Sequence, residues 1–160
     1  MIALAVAGLV ACMPEPAPAP TPSGFSSEAE AFAAAEATYR AYVDAVNARN
    51  LDANSEVEPQ SFLSGNALTA EVDSQREFER RGITLVGSLR VDSISLDSPT
   101  TGLVDGVVCL DVSDTRVLDQ DGLDVTPADR DPILGLAVQF KGGPGSALIS
   151  ESTAKDGLCS

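Results

Sequence analysis

Apolar side chains recur at three- and four-residue steps through Phe32, Tyr39, Val43 and Val46, with Ala35 and Tyr42 beside them, and this spacing predicts a long amphipathic helix. Ser27 and Glu30 stand three apart, as in a capping box, with Phe25 placed for a hydrophobic contact at the helix start. Alanines fill the remaining positions and favour helix. Glu36, Arg40 and Asp44 follow one another at four-residue steps, which makes a solvated, charge-paired outer face. The helix is expected to end near residues 47–50. Residues 51–59 read as a loop and residues 60–63 as a short helical turn stopped by Ser64 and Gly65. A second helix is predicted over residues 67–81, with Leu68, Val72 and Phe78 inward and Gln75 interrupting the stripe. Arg80 and Arg81 suit the negative end of its dipole, and Gly82 is a natural stop.

Beyond Gly82 the pattern shifts to alternation and to β-branched residues. Residues 83–85 lead into a strand that runs to Asp97, and Leu89, Val91, Ile94 and Leu96 do not share one face, which predicts a bulge near Asp92. Residues 98–102 form a turn, and residues 103–112 the next strand, which carries Cys109. Residues 115–118 and 123–125 are expected to pair around the turn Asp119-Gln120-Asp121-Gly122. Residues 126–131 are polar and loop-like. Residues 133–141 and 147–154 are the last strands, joined by a glycine-rich turn at 142–145. Helices first and then strands with short turns define an α+β class, with both helices packed on a curved, mainly antiparallel sheet.

The amino end carries a different signal. An apolar run over residues 1–10 closes on Leu9-Val10-Ala11-Cys12, and a stretch follows in which Pro14, Pro16, Pro18, Pro20 and Pro22 alternate with other residues. This resembles the lipobox of bacterial lipoprotein precursors. The resemblance implies a signal peptide over residues 1–11, diacylglycerol on the Cys12 thiol and cleavage before it. The apolar run is too short to span a bilayer, which takes about 20 residues. No Lys or Arg precedes it, a departure from the signal pattern, so basic residues are expected upstream of Met1. The competing reading is an apolar amino terminus on a cytosolic protein. Each buried methylene contributes about 0.8 kcal/mol, and stable anchoring takes more than one acyl chain. Residues 12–25 then form a tether of polyproline II character, rising about 3.1 Å per residue. Residues 26–160 are then expected to form a single domain, which the lipobox resemblance places on the extracytoplasmic face of the cell membrane.

A formal net charge of −14 argues against nucleic acid, whose phosphates require Lys and Arg, and against lying flat on anionic lipid. Of the three cysteines, Cys12 is assigned to lipid. Cys109 and Cys159 remain, an even pair in a compartment that permits disulfides; two buried free thiols are the alternative. The chain has no His and no CxxC pair, so no metal or cofactor is expected. Asp119 to Gly122 invites comparison with a calcium loop, but Arg130 stands where an EF-hand needs its bidentate Glu. Loose calcium binding by Asp114, Asp119, Asp121 and Asp124 stays open. A serine nucleophile would need Lys141 or Lys155 as base, and both lie beside glycine turns or the chain end. Residues 142–145 lack the Lys-Ser/Thr of a phosphate loop.

The element order, with Tyr39-Arg40-Ala41-Tyr42-Val43-Asp44-Ala45 in the helix and Val108-Cys109-Leu110-Asp111-Val112-Ser113 in a strand, resembles the NTF2-like superfamily and, more narrowly, small actinobacterial cell-envelope lipoproteins. The resemblance implies a cone of sheet around the long helix. Some members, the ketosteroid isomerases, use a carboxylate base with a Tyr and a protonated Asp in the cone. Tyr39, Tyr42 and Asp92 or Asp105 are the residues that could stand there, although none matches a family catalytic motif closely enough to inherit a role. The expectation is therefore a membrane-anchored, non-catalytic binding or accessory module of the Gram-positive envelope, whose partner is an envelope protein or a small apolar ligand. The rivals are an NTF2-like enzyme with isomerase- or dehydratase-type acid–base chemistry, and a transporter's solute-binding lipoprotein, for which the mature chain is short.

Overall fold

In a computed structural model that describes residues 24–143 and 145–159, the first element is the helix α1, Glu28–Leu51. Ser27 caps it, accepting the Glu30 N–H at 3.1 Å. The Glu30 carboxylate turns back to the Ser26 N–H at 2.7 Å and also takes the Gly145 N–H at 2.8 Å, so the cap ties the helix start to a distant turn. The innermost stripe of α1 is Ala31, Ala35, Tyr39, Val43 and Val46. Phe32, expected inside, is only partly buried. The two alanines are fully buried because their small side chains let the helix backbone approach the sheet.

A 3₁₀ turn at Pro59–Phe62 leads into α2, Gly65–Arg81. The turn at residues 60–63 and the helix at 67–81 are thus present with slightly earlier starts. The inward face of α2 is not the apolar stripe expected: Ala67 alone is buried, while Leu68, Val72 and Phe78 are partly exposed. Gln75 is part of the contact instead, donating to Glu71 at 2.8 Å and accepting from Gln60 at 2.8 Å.

The strands are β1, Thr84–Val86; β2, Arg90–Leu96; β3, Leu103–Asp111; β4, Arg116–Leu118; β5, Ile133–Gly143; and β6, Ser146–Ala154. Four form an antiparallel sheet in the order β2-β3-β5-β6, and β1 pairs with β4 in a separate antiparallel pair. The chain is therefore α+β, with two helices on antiparallel sheets. Two expectations are corrected. Residues 83–97 are not one strand, because a turn at Gly87 (φ 87°) sends β1 and β2 into different sheets. Residues 123–125 do not form the main partner of β4. They meet it through one bridge, Leu118 to Asp124, and the Val125 N–H to Val117, while the β4 ladder runs to β1. The bulge lies between Val91 and Ser93, at Asp92.

Along β3, Val104, Val108 and Leu110 point to the helix side and join Phe140, Ile149 and Tyr39 in the core. α1 and α2 both pack mainly on β6. Cys109 alternates to the opposite face and bonds to Cys159 in a disulfide. Cys159 lies beyond the end of β6, so the bridge pins a carboxyl-terminal tail, not the last strand, to an inner strand. The tail crosses β5 at Gly135, which pairs with Cys109. A Cβ at Gly135 would sit 2.9 Å from Leu158 Cβ and 3.1 Å from Lys155 O, so only glycine lets the tail lie that close. No helix among the described residues is long and apolar enough to cross a membrane.

Candidate functional site

The carboxyl end of α1, the β1–β2 linker and the end of the sheet where β3 stops and β5 starts enclose a cleft of about 430 Å³. Its apolar walls are Val46, Leu85, Leu89, Val112, Ile133 and Leu134. Leu134 stands 39% exposed on an otherwise inward-facing register, which marks the open side. The tail supplies another wall through Lys155, Asp156, Gly157 and Cys159, held there by the disulfide.

The linker is fixed by two asparagines of α1. Asn47 accepts the Leu89 N–H at 2.8 Å and donates to the Leu89 carbonyl at 2.9 Å, satisfying both backbone groups of one residue. Asn50 donates to the Gly87 carbonyl at 3.3 Å. Leu85 and Leu89 are thereby held as a partition. On its other side a second cleft of about 520 Å³ opens toward α2, sharing Val46, Asn50, Leu85 and Leu89 with the first. That second cleft is the more polar of the two: Arg49 pairs with Glu71 at 2.7 Å, and Gln75 and Gln60 extend the chain of hydrogen bonds.

The turn between β3 and β4 is clamped from both sides. Arg90 reaches Asp111 at 2.6 Å and Asp114 at 2.5 Å on the solvent side. The Asp111 carboxyl is lowered to about 2, first by the Ser113 hydroxyl and backbone N–H and then by Arg90. From the cleft side, Arg130 donates to the carbonyls of Val112 (2.8 Å) and Thr115 (2.9 Å) and to the Thr115 hydroxyl (3.0 Å). In the sequence Arg130 stands out only as the residue that spoils a calcium loop. Nothing in a polar loop signals that its guanidinium folds into an apolar cleft.

The residues weighed for acid–base chemistry are not brought together. Asp92 lies exposed at the bulge, and Asp105 is exposed and accepts from Gln139 at 2.9 Å. Tyr39 is 1% exposed, edge-on to Phe140 and Tyr42 at centroid distances of 6.2 and 5.8 Å. Burial, and then the nearby Tyr42, push its hydroxyl well above the usual phenol range. Tyr42 is pushed up to about 12, mainly by burial and then by Glu71, with Arg49 opposing. The Tyr39 hydroxyl has no hydrogen-bond partner among the described residues. Because a buried unpaired hydroxyl carries a desolvation cost with no compensating bond, Tyr39→Phe is expected to raise stability by about 1 kcal/mol. Thermal unfolding should show a transition a few degrees higher; a fall would mean that the hydroxyl has a partner.

The turn Asp119 to Gly122 is built from within. Asp119 Oδ1 accepts the N–H groups of Asp121 and Leu123, both at 2.9 Å. Asp114 and Asp124 are engaged with Arg90 and Arg116. Among the described residues no group of three or more His, Cys, Asp or Glu is placed to hold a metal ion. Cys12, with the expected signal peptide and most of the tether, lies outside the described residues.

Fold and cleft together define a disulfide-closed α+β domain with an open, largely aliphatic cleft. No protein-family model matches the chain, and no curated protein or solved structure matches it.

Proposed function

We propose that the protein is a lipoprotein anchored through Cys12 to the outer face of a bacterial cell membrane, and that its domain is a non-catalytic module of NTF2-like build that binds a small, mainly apolar ligand. The observation that carries the binding reading is the cleft beside Leu89. Its volume of about 430 Å³ lies in the range of small-molecule sites, about 300–1,000 Å³. Its walls are aliphatic with a few polar groups, the usual make-up of such sites. Asp92 and Asp105 face solvent, and Glu71, the carboxylate beside Tyr42, is committed to Arg49; these placements favour binding over acid–base catalysis.

The orientation suits a tethered receptor. The described chain starts at Gly24, beside Gly102 and Gly143, and the cleft lies at the far end of α1. A helix of 24 residues spans about 36 Å at 1.5 Å per residue. The cleft is thus held away from the point where the tether joins.

Two measurements test the reading. The intact protein is expected to enter the detergent phase on temperature-induced separation, and Cys12→Ser to stay in the aqueous phase. A wild-type protein found wholly in the aqueous phase would remove the anchor. Solvent extraction of protein purified from membranes should release a small molecule at near-equal stoichiometry, absent from Leu134→Asp. Leu134 is already 39% exposed, so this change reaches the cleft without emptying the core. An empty wild-type protein that also takes up no apolar fluorophore would end the binding reading.

A further inference from the structure

In a chain with 24 acidic against 10 basic residues, an arginine without a carboxylate partner is unusual. Every other arginine among the described residues, from Arg40 to Arg116, lies within 4.0 Å of an Asp or Glu oxygen. Arg130 has no such partner among the described residues. It is half buried, lines the 430 Å³ cleft and among the described residues donates only to neutral oxygens. A guanidinium has five N–H donors, and among the described residues these three bonds leave its Nε–H and one hydrogen of Nη1 uncommitted.

We infer that the cleft takes a single-chain amphiphile with an anionic head, its hydrocarbon lying against Val46, Leu85 and Leu89 and its carboxylate or phosphate oxygens meeting Arg130. This rests on the proposal of an apolar-ligand site and adds to it the class of ligand. A half-buried charge is costly without an opposite charge close by, and three neutral acceptors orient the guanidinium without neutralising it. Asp124 feels the charge of Arg130 from beyond 4.0 Å, but it is exposed and already pairs with Arg116 at 3.6 Å, so it neutralises the guanidinium only weakly. Asp131 and Asp156 line the same cleft, but both are exposed at its rim, where water screens them. Lys155 adds a second, exposed cation on the tail side. The apolar walls exclude water from the remainder, so a charge-assisted bond to an incoming anion gains strength there.

Bracing the 112–115 turn is the simpler role for Arg130, and the test must separate the two. Binding of dodecanoate, dodecyl phosphate and dodecanol to the full-length protein is compared by displacement of an apolar fluorophore. Dodecanoate, dodecyl phosphate or both are expected to bind at least about tenfold more tightly than dodecanol, the discrimination a charge-assisted hydrogen bond provides. Which of the two binds more tightly tells a fatty acid from a phosphate-headed lipid fragment. Arg130→Gln should bring the anions to within about twofold of dodecanol in the same variant. A purely structural arginine would weaken all three together. If Arg130→Gln does not fold, ligand charge decides in the wild type: dodecyltrimethylammonium should bind at least about tenfold more weakly than the preferred anion, although the net charge of −14 favours a cation everywhere else. Equal binding of all three overturns the headgroup assignment but leaves the apolar site standing. A preference that survives Arg130→Gln and disappears in Lys155→Gln also overturns it. Failure of every probe removes the binding reading itself.

Discussion

Replacing Cys109 and Cys159 together by serine is expected to cost about 4 kcal/mol of stability, the loop-entropy value for a closure of 50 residues. Domains of this size are stable by about 5–15 kcal/mol, so the variant should be marginal. The loss should also reach the cleft. Without the bridge, residues 155–159 are held across β5 by the Lys155 N–H to Gly135 carbonyl bond at 3.0 Å and by the contact of Leu158 with Gly135. A free tail would leave the cleft without one wall. Denaturant unfolding with and without a thiol reductant checks both points. Reduced wild type should match the double-serine variant in midpoint and in ligand affinity. A loss under about 1 kcal/mol would mean that the reduced chain retains the same restraint, contrary to the entropy argument. Protease cleavage after Lys155 should accelerate in the reduced protein and in the double-serine variant, but not in the oxidised wild type.

The features legible in the sequence are those set by local chemistry. Ser27 and Glu30 mark the start of α1 because capping involves neighbours in the chain. The bulge at Asp92 shows as a break in alternation, because each residue of a strand must face one side or the other. The long-range choices are not legible. Ala31 and Ala35 look like neutral helix formers, and only the nearness of the sheet makes them the deepest residues of α1. Gln75 looks like a flaw in an apolar stripe, whereas Glu71 and Gln60 satisfy it, and Arg49 of α1 holds Glu71 in turn. Helical spacing marks Tyr39 and Tyr42 as inner aromatics, but no periodicity tells whether a carboxylate will meet them. The cleft is invisible for the same reason. It is bounded by the end of one helix, a linker and a tail that are distant in sequence, and its cation comes from a loop with no motif.

Gly87 is the other position where one atom should have a large effect. It sits where the chain leaves the β1–β4 pair for the four-stranded sheet, with φ at 87°, a conformation that side chains rarely adopt. A Cβ there would fall 2.1 Å from the Asp114 carbonyl oxygen and 3.0 Å from its carbon. Both are backbone atoms of the turn that Arg90 and Arg130 clamp, so neither can swing aside as a flexible side chain would. Gly87→Ala is expected to cost about 2–5 kcal/mol, combining left-handed strain with local overpacking. The strain should travel in two directions. Toward α1 it should loosen the hold of Asn47 and Asn50 on the linker, freeing Leu85 and Leu89, the partition between the clefts. Toward the turn it should shift the carbonyls that orient Arg130. Chemical denaturation gives the stability loss, and hydrogen exchange at the Leu89 amide reports the linker directly. Asn47→Ala separates the effects, since it removes the linker's anchor without crowding Asp114: it should speed exchange at Leu89 while costing less stability than Gly87→Ala. If Gly87→Ala folds as stably as wild type, the linker does not run hard against the Asp114 carbonyl, and Leu85 and Leu89 lose their footing as a common wall.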